Sequence, residues 1–238
     1  MYNGNDTYRR KMLLVINDSS PKLFSMSSAS KISKKTNRAF SLPAGPDFAC
    51  PGATEACTDC YAQKGRHFFN NVQKAFARNW NTFLAFEAAK DEVGCAQELN
   101  SHMPKNGIFR IHESGDFHSQ FALNVWALVV SSNPNVDFYT YTRSFELNFE
   151  PLLSNTNFVL WASTDPFNQS RALEFVKENE EHNVRHAHGP WEHGKELPEN
   201  SFACPVTTKR LDVLGACEKC QLCVMPGRTK KNVVFFSH

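Results

Sequence analysis

Gly107-Ile108-Phe109-Arg110-Ile111-His112 and Asp137-Phe138-Tyr139-Thr140-Tyr141-Thr142, with Phe121, Val125 and Leu128 between them, decide the fold class. The two outer runs are short, apolar and β-rich. The segment between them repeats its apolar residues at helical spacing. This reads as strand–helix–strand, and the pattern continues outward. Leu147 to Leu153 reads as a short helix, and Phe158 to Ser163 as a strand. Asp165-Pro166 reads as a cap and first-turn proline opening a helix with Leu173 and Val176 on one face. Asn183 to His188 and Asn232 to Phe236 read as two further strands. Upstream, Phe69, Val72, Phe76, Trp80 and Phe83 make 66–100 helical, and Arg38 to Leu42 is a short strand stopped at Pro43. Near-continuous apolar strands alternating with helices predict an α/β fold with a parallel sheet covered by helices. Six such units are too few for an eight-unit barrel. A partial (β/α)6 barrel is expected, followed by a C-terminal cysteine-rich cluster region, with Rossmann-like layering as the alternative. No Gly-rich phosphate fingerprint follows a strand.

The expected organisation is a polar, basic and loosely ordered entry segment over 1–37, a partial barrel over 38–200, and a cysteine-rich region over 201–238. The 238 residues and 20 phenylalanines are enough for a sizeable core, which excludes a disordered or fibrous chain. The early apolar run Met12 to Ile16 is too short for a membrane span or leader, so a soluble, cytoplasmic protein is expected. Charge is uneven. Residues 1–47 carry a net +5, residues 204–238 a net +4, and the body between a net −7. Basic ends point to a nucleic-acid partner; their bland reading is a solvated surface.

Cysteines stand at 50, 57, 60, 95, 204, 217, 220 and 223. Without a leader, such clusters indicate metal or redox chemistry rather than a disulfide scaffold. Cys50, Cys57 and Cys60 follow the first strand as C-x6-C-x2-C. They could hold three irons of a 4Fe-4S cluster and leave one iron open, or bind zinc with His67 as fourth ligand. Cys217, Cys220 and Cys223, with Cys204 upstream, form a four-thiol set suited to a second 4Fe-4S cluster or to zinc. Cys95 reads as a buried apolar residue.

In parallel α/β folds the chemistry gathers at the carboxyl ends of strands. Here those ends carry His112-Glu113-Ser114-Gly115-Asp116, Tyr141-Thr142-Arg143, Ser163-Thr164-Asp165, and His186 with His188. Each has a structural alternative: Asp116 and Asp165 as helix caps, His112 as a core histidine, Arg143 paired with a glutamate, Tyr139 and Tyr141 as packing. His186, His188, His193 and His238 are further metal-ligand candidates.

Several of these stretches resemble the phage "gene product 88" family: Phe40-Ser-Leu-Pro-Ala-Gly45, Cys50-Pro-Gly-Ala53, Cys57-x-x-Cys60-Tyr-Ala62, His112-Glu-Ser-Gly-Asp-Phe117, Tyr141-Thr-Arg143 and the closing Val-Val-Phe-Phe-Ser-His238. The resemblance spans roughly 38–238 and implies a phage-encoded protein working in the host cytoplasm. The layout also resembles radical S-adenosylmethionine enzymes, with three cysteines after the first strand and an acidic glycine motif after the second. Those enzymes use C-x3-C-x2-C, with an aromatic before the third cysteine; here the spacing is wider and Tyr61 follows it. That resemblance implies a 5′-deoxyadenosyl radical enzyme acting on a nucleotide, nucleic acid or peptide, served by an electron donor. It implies Cys50, Cys57 and Cys60 on the cluster and Glu113, Ser114, Gly115, Asp116, Ser163 and Asp165 around the cofactor. Tyr141, Arg143 and His186 would face the substrate, and Cys204, Cys217, Cys220 and Cys223 an auxiliary cluster. The alternatives are a non-enzymatic iron–sulfur or zinc protein binding nucleic acid, and a metal-dependent hydrolase built on His112, Asp116 and the late histidines.

Overall fold

The computed structural model describes residues 5–27 and 38–237. It contains one seven-stranded sheet: β1 (Ala39–Ser41), β2 (Gly107–Ser114), β3 (Val136–Thr142), β4 (Phe158–Thr164), β5 (Arg185–Trp191), β6 (Ser201–Ala203) and β7 (Asn232–Phe236). Their order is β1-β2-β3-β4-β5-β7-β6 and every pairing is parallel. Five consecutive strands lie side by side in chain order, so the winding runs one way across the sheet from β1 to β5. The sheet is open, with β1 and β6 as its edges, so it does not close into a barrel. Ser27 adds one antiparallel bridge outside β1.

Alternate residues of each strand go to different layers. Phe109, Ile111, Phe138, Leu160 and Ala162 face the helices α2 (Asn70–Ala89), α3 (Glu92–Asn100), α4 (Gln120–Ser132), α5 (Glu150–Leu153) and α6 (Gln169–Glu178), and form the main core with Trp126, Phe83 and Phe175. Ile108, Tyr139, Val159, Trp161, Ala187 and Val233 face the other way. Val224 and the side chains of Cys204, Cys217 and Cys223 cover them. The cysteine-rich C-terminal region, with its short helix α7 (Ala216–Cys220), is thus the second face of the sheet.

Four expectations need correction. The described part of the entry segment is not loosely ordered: α1 (Asp6–Asn17), capped by the Asn5 side chain on Tyr8 N, buries Tyr8 and Met12 against Phe76 and Ala77 of α2. The segment 66–100 is two helices, because α2 ends on Lys90 in left-handed backbone and Asp91 caps α3 through Gly94 N. Asp165 does not cap α6. It accepts Phe167 N at 2.9 Å in a turn, and α6 starts after Asn168. A seventh strand, β6, lies at the start of the region expected to be a cysteine-rich cluster. Cys95 is buried, as its apolar reading required.

β2 carries the irregularity that shapes its carboxyl end. Ala39 pairs with Arg110, yet Ser41 pairs with Ser114, so β2 holds two residues more than its partner. The surplus is absorbed at His112, a non-glycine residue with φ of +56°. That left-handed turn puts His112 on the same side as Ile111, with its ring 4.7 Å from Phe117 and 6.1 Å from Phe40 and Trp126. A bulge of this kind re-aims the residues after it; here these are Glu113 to Asp116.

Candidate functional site

The loop Cys50–Cys60 leaves the carboxyl end of β1. Cys57 and Cys60 sit three residues apart around a 3₁₀ turn (Glu55–Asp59), with Cys60 N donating to Cys57 O at 3.1 Å. A 3₁₀ helix has about three residues per turn, so these two side chains eclipse. The three thiols lie near enough for a charge on Cys57 or Cys60 to bear on Cys50. Burial pushes the Cys50 thiol well up, with the Asp116 charge next in effect; burial also raises Cys60.

Two glycines let this loop seat. Gly115 has φ of +84°, and a Cβ there would stand 2.8 Å from Leu42 Cβ and 3.2 Å from Ala49 Cβ. Gly52 packs on the Arg143 carbonyl. Asp116 ties the pieces together. Its backbone N donates to Ala49 O at 2.9 Å. Its carboxylate accepts Thr142 Oγ1 at 2.7 Å, Phe117 N at 2.8 Å and Arg143 N at 2.7 Å. Burial lifts the carboxyl to about 6, with those three donors working against the rise. Ser119, not Asp116, caps α4. Arg143 Nε donates at 3.0 Å to Asp165 Oδ2, which also accepts Thr54 Oγ1 at 2.8 Å. The cysteine loop is therefore bound to the ends of β2, β3 and β4 at once.

Glu113 points to another neighbourhood. Its carboxylate lies 3.5 Å from Arg66 Nη2 and 3.8 Å from His67 Nε2. The Tyr61 hydroxyl donates to the Glu113 carbonyl and accepts Arg110 Nη2 at 3.1 Å. Burial lowers His67, with the Glu113 charge opposing it. Ser114 Oγ donates to Leu42 O at 2.9 Å, a structural bond between β1 and β2. Ser163 O accepts Asn168 Nδ2 at 2.9 Å.

Tyr139 and Tyr141 are packed edge to face, 5.9 Å apart, and Tyr141 stacks on Trp161 at 6.3 Å. His186 is not beside them. The two-residue alternation puts it with Val184 on the helical face, where its Nδ1 meets Thr164 Oγ1 at 2.9 Å and its ring stacks on His188 at 5.2 Å. His112 is a core histidine. Burial drives it down to about 3, and among the described residues neither ring nitrogen has a hydrogen-bond partner. His193 lies 4.7 Å from the Phe236 ring; His238 is outside the described residues.

The late cysteines gather on the opposite sheet face. Cys217 and Cys220 share α7, and Cys204 N donates to Val234 O at 2.9 Å as β6 ends. Trp161 Nε1 donates to Cys223 O at 2.8 Å. Burial, then the charges of Cys204, Cys217 and Cys220, push Cys223 up, while a hydrogen bond from Tyr141 opposes them. No disulfide joins the described cysteines. Among the described residues, no three His, Cys, Asp or Glu side chains are already drawn into a metal-holding arrangement. No helix of the described residues is long and apolar enough to cross a membrane.

The stretches that build this site lie inside one matched family region. The family model "Gene product 88" matches residues 13–226. The chain belongs to the gene product 88 family. This family member is 30% identical over 210 residues to the "Gene 88 protein" of Mycobacterium phage L5, covering 82% of this chain and 84% of that protein. It is 29% identical over 211 residues to the "Gene 88 protein" of Mycobacterium phage D29, with the same coverage. No solved structure matches this gene product 88 chain. Sequence reasoning missed Arg110, Trp161, Thr54 and Arg185. The first two were signalled only by their place on strands whose second face needs a cover.

Proposed function

We propose that this gene product 88 family protein is an iron–sulfur enzyme of radical S-adenosylmethionine type. The observation that carries the reading is the seating of Cys50, Cys57 and Cys60 at the carboxyl edge of a singly wound parallel sheet, against Asp116 and Arg143. Three thiols on one loop without a fourth cysteine suit a four-iron cluster with one open iron. The chain-order winding with helices on one face is also how a partial barrel is wound, and that geometry belongs to the same proposal.

A cluster held by Cys50, Cys57 and Cys60 would pass on one electron from an external donor for reductive cleavage of S-adenosylmethionine to methionine and a 5′-deoxyadenosyl radical. The chain's own residues bind and orient. Glu113, tied to the loop through the bond from Tyr61 to its carbonyl, would offer its carboxylate to the cofactor's ammonium group in exchange for its contact with Arg66. Asp116, whose oxygens are committed to Thr142, Phe117 and Arg143, is a positioning residue for the loop. Arg143, pinned by Asp165, holds positive charge beside Cys57 and Cys60, where it balances thiolates and suits the cofactor's carboxylate. Ser163 and Gly115 line the same edge. The quartet Cys204, Cys217, Cys220 and Cys223 is read as a second centre, with zinc as its alternative metal. The test is to mix the anaerobically purified, dithionite-reduced protein with S-adenosylmethionine. The reading predicts 5′-deoxyadenosine; an intact cluster that yields none refutes it.

A second reading, a metal protein that binds nucleic acid, has one observation in its favour. Lys209, Arg210, Lys219, Arg228, Lys230 and Lys231 are all exposed on the cysteine-rich face. Binding of labelled DNA or RNA that weakens steeply with salt and ignores S-adenosylmethionine supports it.

A further inference from the structure

Arg185 opens β5 and is only 6% exposed. Its guanidinium lies 4.4 Å from the centroid of the Trp161 ring, the residue it pairs with on β4. Among the described residues its Nε and Nη1 meet no acceptor, and no carboxylate pairs with it. An arginine does not escape by losing its proton. A buried cation without a counter-anion is a costly arrangement, and a ring face offsets only part of that cost. The indole beneath Arg185 holds the Cys223 carbonyl, and Tyr141, on the same indole, hydrogen-bonds the Cys223 thiol. Trp161 thus stands in contact with both Arg185 and Cys223, on the sheet face that Cys204, Cys217 and Cys223 cover.

Protonated thiols would leave this cation uncompensated. Four thiolates around a divalent zinc, or around an oxidised four-iron cluster, carry two negative charges in excess, because metal binding strips the thiol protons. We propose that Cys204, Cys217, Cys220 and Cys223 work as a doubly negative four-thiolate metal centre and that Arg185 is its built-in counter-cation, a positioning residue that favours the loaded state. This rests on the second-centre part of the reading above and adds the charge of that centre and the residue that answers it.

The test uses the full chain with Cys50, Cys57 and Cys60 replaced by alanine, so that the quartet is the remaining thiolate set. Arg185→Gln and Arg185→Lys are added to it. Metal and sulfide per chain, the rate of metal loss to EDTA, and thermal unfolding with and without metal are measured anaerobically. The parent is expected to hold one centre. Arg185→Gln should lose its metal about 10- to 100-fold faster, the usual effect of removing an outer partner of a metal site, and Arg185→Lys should recover most of that loss. The metal-free Arg185→Gln chain should unfold no lower than the metal-free parent, since it has shed an unpaired buried charge. A purely structural arginine would destabilise both forms alike, and that result overturns the counter-cation role. Equal release rates in all three chains overturn it too, and leave the metal centre standing. A parent with neither metal nor sulfide removes the centre and the inference together.

Discussion

Gly52 lies against the backbone carbonyl of Arg143 so closely that a Cβ on residue 52 would stand 2.1 Å from that oxygen. No side-chain rotation relieves a clash between two backbones. Gly52→Ala must therefore lift the cysteine loop from the end of β3 or push that end aside. Overpacking of this kind costs about 1–3 kcal/mol, read as a lower midpoint in chemical denaturation. The same variant should incorporate less iron, because Cys50 and Cys57 flank the displaced segment.

Arg143 and Asp165 make the second tie between loop and sheet, with Nε to Oδ2 at 3.0 Å and an Asp165 side chain that is 0% exposed. Asp165→Asn removes the charge and turns an amide donor either toward both Arg143 Nε and Thr54 Oγ1 or, flipped, toward Phe167 N. Loss of one partner of a fully buried pair costs about 3–5 kcal/mol, but the Arg143 side chain is 23% exposed, so about 2 kcal/mol is expected. Equilibrium unfolding at pH 7 measures it. An unchanged midpoint would show that the pair does not hold the loop.

Burial of His112 predicts a loss of stability in acid. Its unfolded pKa is near 6.5, and burial among Phe40, Phe117 and Trp126 drives it down to about 3 in the native chain. Between these values the unfolded chain takes up a proton that the native one refuses. The contribution is thus fully present above about pH 6.5 and is lost as pH falls toward 3. At pH 5 the loss is about 2 kcal/mol. Burial lowers His118 and His186 as well and steepens the same slope. His112→Asn tolerates the left-handed backbone and does not titrate. Its stability should be lower at pH 8, where the ring is missed, but its decline to pH 5 should be shallower by about 2 kcal/mol in denaturant titrations.

Strands β2, β3 and β4 were legible because apolar runs buried on both faces are written plainly in the sequence. The identity of the second cover was not. Period two says that Arg110, Tyr141, Trp161 and Arg185 share a face, but not that the late cysteines lie on it. The segment holding α1 is polar on average, so its few buried residues, Tyr8 and Met12, gave no clear period. The acidic motif after β2 was visible, yet the bulge at His112 was not. No residue type announces a left-handed histidine, and that bulge is what separates the roles of Glu113 and Asp116. His186 was misplaced for a related reason: a strand-end position gives nearness to the site, while the face depends on register with β4.

The most direct measurement of the central claim is the iron and acid-labile sulfide content of anaerobically purified protein, beside that of the Cys50/Cys57/Cys60 triple alanine variant. With a four-iron cluster at each cysteine set, the account predicts about eight of each per wild-type chain, and about four fewer in the variant. The variant should also lose part of the brown thiolate–iron absorption. Equal iron and sulfide in the two proteins, or a colourless wild-type chain free of iron, would contradict it.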